Sequence, residues 1–171
     1  VSWGFCDALK SKIEESEKEE TATGNDRFLS LPNVTQEVWY RDIFSGVDVQ
    51  YILSPLGVKE NLILKSKGTQ TTFTIEYQIG DLSASQQDDQ TILLSDESGA
   101  PVYTITAPSM TDANGMSSNQ VSAKIVSQKN KKITVEIQAD DEWLNEPQRA
   151  YPVTIDPDFT TDQKIDTVSS V

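Results

Sequence analysis

Carboxylates are the one reactive group this chain holds in quantity. It has 27 Asp and Glu against 14 Lys and Arg, and no histidine among its 171 residues. Asp88-Asp89, Asp140-Asp141-Glu142, and Asp156 with Asp158 stand close enough in sequence to share a ligand. Calcium, a hard cation, takes several such oxygens. "TDANG", Thr111 to Gly115, resembles the start of a calcium loop. It lacks the remaining ligands and the distant Glu, so a solvated turn is the plainer reading. No cofactor is therefore expected, and calcium is the one ion these residues suggest. Two carboxylates facing across a cleft would also suit glycoside hydrolysis. Nothing in the sequence pairs any two of them.

The missing histidine removes a Ser-His-Asp triad, a Cys-His pair and any His-bound metal. The single cysteine, Cys6, allows neither an internal disulfide nor a multi-thiolate zinc site. It stands beside Asp7 with no cationic cluster to lower its pKa. On these grounds the catalytic residues expected are none, and the chain is expected not to be an enzyme. The net charge of -13 repels phosphate backbones and anionic membranes, so neither nucleic acid nor membrane insertion is expected.

Aromatic residues give the better binding lead. A flat Trp or Tyr can stack on a sugar ring through apolar contacts. Trp3, Trp39, Tyr40 and Trp143 are the candidates. Burial in the core or at its rim is the competing reading for each. "NVT", Asn33 to Thr35, matches a glycosylation sequon and reads more simply as a loop before a strand.

The elements that would hold these residues are mostly strands. Val47, Val49, Tyr51 and Leu53 alternate with Asp48, Gln50 and Ile52, which is the period of a half-buried strand. "SPLG", Ser54 to Gly57, reverses the chain, and Val58, Glu60, Leu62 and Leu64 then alternate against Lys59, Asn61 and Ile63. Phe73, Ile75, Tyr77 and Ile79 repeat the pattern, as do Val121, Ala123, Ile125 and then Ile133, Val135, Ile137. "DESG", Asp96 to Gly99, is a turn between two strands. Asp140 or Asp141 can cap a short helix through Trp143 and Leu144 that Pro147 ends. Near the N-terminus, Leu9 and Ile13 have helical spacing ahead of a charge run, which reads as a short helix or a loop. The fold class expected is all-β, an antiparallel β-sandwich with one short helical turn near the C-terminal end and a charged N-terminal helix or loop.

Three phrases carry a family resemblance: "IFSGVDVQYILSPLGVKENLILKS", "QDDQTILLSDESGAPVYTITAPSMTDANG" and "EWLNEPQRAYPVTIDP". Together they resemble a module of Gram-positive wall-associated surface proteins that carry RHS (YD) repeats, in the segment preceding a DNRLRE domain. The resemblance covers roughly 26–157. It implies secretion, cell-wall association and a non-catalytic structural or display role, in parents that are toxins, adhesins or unassigned surface proteins. A carbohydrate-binding module, with calcium assistance as an option, is the alternative. The partners implied are other domains of the same parent chain, or a glycan. The organisation expected is 1–25 as an N-terminal strand plus charged helix or loop, 26–157 as the sandwich, and 158–171 as a linker and the start of a following domain, with the whole chain a fragment of something larger.

Overall fold

In a computed structural model of the chain, residues 1–9, 12–16, 37–54 and 57–161 are described. The sequon at Asn33, Pro55 of the "SPLG" reversal, most of the N-terminal charge run and the tail beyond Thr161 lie outside the described residues. Fifteen strands and one helix are present among the described residues. In chain order the strands are β1 (Ser2–Phe5), β2 (Lys12–Ser16), β3 (Glu37–Phe44), β4 (Val47–Ser54), β5 (Gly57–Leu64), β6 (Thr72–Gln78), β7 (Ser83–Gln86) and β8 (Ile92–Ser95). They continue with β9 (Pro101–Ile105), β10 (Met110–Thr111), β11 (Ser117–Ser118), β12 (Val121–Lys129), β13 (Lys132–Ala139), then helix α1 (Asp141–Asn145), β14 (Val153–Ile155) and β15 (Asp158–Thr161).

They form two antiparallel sheets. One has the order β1-β6-β13-β12. The other is centred on β5, which pairs along its whole length with β4; β3 and then β2 follow beyond β4. On its opposite edge β5 is shared. Leu62–Leu64 pair with β14 and Gly57–Lys59 with β15. The sheet therefore forks, through β14 to β10 and β11, and through β15 to β9, β8 and β7. Asp156 stands at the fork. Its carboxylate accepts from the Ser109 hydroxyl at 2.7 Å and from Lys59 Nζ at 3.1 Å.

The alternating residues meet between the sheets. Phe73, Ile75, Tyr77, Ile133, Val135 and Ile137 are buried from one side. Val47, Val49, Leu62, Leu64, Ile92, Leu94, Val153 and Ile155 are buried from the other. The fold is thus the all-β antiparallel sandwich that the period-two pattern predicts, with its one short helix near the C-terminal end. Asp140 caps that helix, accepting from the Trp143 N–H at 2.7 Å. Lys12–Ser16 departs from the helix-or-loop expectation. It is a strand, paired residue for residue with Arg41–Glu37. A lone turn of helix is costly to nucleate, whereas an open sheet edge offers a ready ladder of hydrogen bonds.

Turns carry much of the register. Gly46, between β3 and β4, has φ +73°, and a Cβ there would lie 2.8 Å from the Thr69 methyl, so only glycine fits. Asn130 and Lys131 both have positive φ, the requirement of the tight turn joining β12 to β13. One side of the sandwich is sealed by amide side chains. Gln86 donates to Ala123 O at 2.5 Å and accepts from the Ile125 N–H at 3.0 Å, as a neighbouring strand would. Gln90 accepts from the Ala123 N–H at 2.9 Å. Removing the amide in Gln86→Ala is expected to cost about 1–2 kcal/mol. Amide exchange should quicken at Ile125 and not at Ala123, which keeps Gln90; equal protection at Ile125 would refute this.

Candidate functional site

The first sheet ends at β1, and beside it opens a cleft of about 620 Å³. Trp3 and Phe5 of β1, Val38 and Tyr40 of β3, and Tyr51 and Leu53 of β4 line it. Period two explains the set: Val38 pairs with Tyr51 and Tyr40 with Val49, so these side chains share the inward face of their sheet. Trp3 stacks on Phe159 with 4.9 Å between ring centroids, and Tyr40 meets Tyr51 edge-on at 5.8 Å.

Behind Trp3 and Tyr51 lies Glu60, 2% exposed. Its Oε2 accepts from Trp3 Nε1 at 3.0 Å, and Tyr51 donates to the same carboxyl. Its Oε1 has no hydrogen-bond partner. Burial pushes the pKa of Glu60 up to about 7, against the smaller lowering by the Tyr51 and Trp3 hydrogen bonds. The same burial, with Glu60 alongside, raises Tyr51 and Tyr77. At neutral pH the cleft is therefore backed by a carboxyl near its midpoint of ionisation. Such a group can hold or release a proton, and it can anchor an indole and a phenol.

The four aromatic candidates are not brought together. Trp3 and Tyr40 share the cleft. Trp39 takes the opposite face of its sheet, where its Nε1 donates to Glu37 and the Arg41 guanidinium lies 3.9 Å over its ring. Trp143 is 7% exposed at the helix, with the Arg149 guanidinium 3.2 Å from its ring centre.

The carboxylate groupings go to turns, caps and ion pairs. Asp89 accepts from the Thr91 N–H, Asp140 caps the helix, and Asp156 and Asp158 lie 3.1 and 3.6 Å from Lys59. Asp112 of "TDANG" takes the N–H groups of Asn114 and Met116 on Oδ1, and Arg149 on Oδ2 at 3.1 Å. No group of three or more His, Cys, Asp or Glu able to hold a metal ion occurs among the described residues. A second, polar cleft of about 510 Å³ lies by β12, lined by amides such as Gln90, Gln120 and Gln138. The Cys6 thiol is pushed up by burial and by Glu76 and Asp7, which makes it a poor nucleophile.

Glu60 and Arg149 went unpredicted as site residues. Glu60 did carry a signal, since it falls on the apolar face of Val58, Leu62 and Leu64. Arg149 carried none.

No family model matches the chain, and no solved structure matches it. Three curated relatives are each 35% identical over 141 residues. They are the tRNA nuclease WapA of Bacillus subtilis strain 168, a tRNA3(Ser)-specific nuclease WapA of Bacillus spizizenii, and a tRNA(Glu)-specific nuclease WapA of Bacillus subtilis subsp. natto. The match takes in 78% of this chain, and the chain spans about 6% of the length of these relatives. Relatives named as nucleases overturn the identification as a module of RHS-repeat surface proteins ahead of a DNRLRE domain. They also overturn the non-catalytic display role, the carbohydrate-binding alternative and the expectations of no enzyme and no nucleic-acid partner. The physical reason is one of scope: missing histidines and a charge of -13 constrain the chemistry of these 171 residues. They do not constrain a polypeptide many times longer.

Proposed function

We propose that this chain is part of a tRNA nuclease similar to WapA, with tRNA as the substrate of the whole polypeptide. The observation that carries the reading is the 35% identity over 141 residues to three proteins that all bear that name. The identity is the same to relatives named for different tRNAs, which supports a segment common to enzymes of different specificity. Phosphate is repelled by a body of charge -13. Binding of tRNA by the whole polypeptide then needs basic side chains or cations that offset this charge.

The test is cleavage of tRNA by the full-length protein, read on denaturing gels. The expected result is discrete tRNA fragments, absent with heat-inactivated protein. Intact tRNA after prolonged incubation with folded full-length protein would sink the reading.

A further inference from the structure

Glu60 is a carboxyl turned in between the two sheets. It pairs with Tyr51 across β4 and β5, and Trp3 of β1 closes over it from the other sheet. The titratable groups that face it are phenols: Tyr51 on β4 and Tyr77 on β6. Tyr40 of β3 stands edge-on behind Tyr51, and Tyr103 of β9 lies beside Phe159 of β15. Glu15 of β2 is on the same rung three strands along, about 14 Å away, and is acidic too. The cations nearby are turned elsewhere. Lys59 pairs with Asp156 and Asp158 on the outer face, Arg41 lies over Trp39, and the Val1 amino group is at the exposed start of the chain. Among the described residues no cation faces Glu60, so its ionisation puts an uncompensated charge in the core.

Three strands close around that charge besides its own, and they are unequal. β4 and β6 each pair with a strand on both sides. β1 has four residues and, among the described residues, pairs with β6 alone. Ser2 and Gly4 of β1 are exposed, so its hold on the core is Trp3 and Phe5. The Trp3 indole is bonded to Glu60 itself, and its ring lines the open cleft. Displacing β1 is therefore the least costly way for Glu60 to reach water.

We propose that Glu60 is a proton-controlled latch on β1: with its proton it keeps Trp3 between the sheets, and without it it favours a state in which β1 has left β6 while the rest of the sandwich stays paired. That state bares the β6 edge and the rings of Tyr51, Tyr77 and Phe159. In the closed chain burial pushes Glu60 up to about 7, against 4.5 for the hydrated group. The closed state binds more protons between those values. Opening should therefore rise by up to tenfold per pH unit there, about 300-fold in all, and level off above pH 7.

The test is amide exchange of the isotope-labelled chain from pH 5 to 8, each rate divided by that of an unstructured peptide at the same pH. Cys6 N donates to Thr74 O at 2.8 Å, and Gly4, paired with Glu76, takes the next such position in the ladder. Protection at Gly4 and Cys6 should fall at least thirtyfold across that range, while β12–β13 amides keep theirs. In Glu60→Gln the β1 amides should hold constant protection. Amides of β1 that are unprotected at pH 5, constant protection of β1 in the parent chain, or an equal fall in β12–β13 would each overturn the proposal. So would a fall that persists in Glu60→Gln. None of these readouts depends on tRNA cleavage.

Discussion

Arg149→Ala is expected to destabilise the chain by about 3–5 kcal/mol, the usual cost of stripping one partner from a buried ion pair. The Arg149 and Asp112 side chains are 1% and 0% exposed. Arg149 makes three polar contacts. Its Nη1 pairs with Asp112 Oδ2 at 3.1 Å, its Nε donates to Trp143 O at 3.0 Å, and its Nη2 reaches Glu146. Its flat guanidinium also covers the Trp143 ring. Asp112 in turn organises the turn between β10 and β11, with Ala150 N bonded to its Oδ2 at 3.3 Å. Truncation leaves the Asp112 carboxylate without its countercharge and opens a void on the indole. In a domain of this size each kcal/mol is about 2–4 °C, so the melting temperature should fall by about 6–20 °C. Arg149→Lys keeps the charge and loses the planar fork, and should recover only part of the loss. A fall in melting temperature no larger than that of an exposed control such as Lys124→Ala would refute the assignment.

This lock shows where the sequence stops being legible. "DESGA" and "DANGM" are alike: an Asp, a small polar residue two on, then glycine. The structure builds both the same way, with the Asp Oδ1 accepting from the second and fourth N–H and glycine at positive φ. Local chemistry specifies the turn in each case. What separates Asp112 from Asp96 is a guanidinium 37 residues away, and no local pattern reports that. The same division holds through the fold. Period two announced Phe73 to Ile79 and the hairpins, because one face of each strand needs a core. The fork of the larger sheet was silent, because β14 and β15 are short and their partner in β5 is distant in sequence. The Gln86 plug was silent too, since a glutamine looks the same whether it meets water or a strand edge. Function was least legible of all. The chain's own residues argue about its own surface, and the named activity of its relatives belongs to polypeptides of which it spans about 6%.

Glu60→Gln is expected to make the chain more stable at alkaline pH and to change little in acid. The sign follows from the proton count. In the folded chain Glu60 holds its proton up to about pH 7, whereas unfolded it gives the proton up near 4.5. Between those values the folded state binds more protons, so this group's contribution to stability falls as pH rises. At about 1.4 kcal/mol per pH unit, the loss approaches roughly 3 kcal/mol above pH 7. Physically, the unpartnered Oε1 can carry a proton in its apolar surroundings but not a charge. Glutamine keeps the shape and an acceptor for Trp3 and Tyr51 without ever ionising. Asp48 acts in the opposite sense. Burial would raise it, but hydrogen bonds from Lys65, the Asp42 N–H and Arg41 outweigh that and hold it below its usual value. Its contribution is present above its unfolded pKa of 3.8 and is lost as pH falls below that. Stability should therefore peak in mildly acidic solution, set by Asp48 on one side and Glu60 on the other. Urea unfolding of both proteins from pH 4 to 9 provides the check. The difference between them should open across pH 4.5 to 7, and a difference independent of pH would show that Glu60 is charged in the fold.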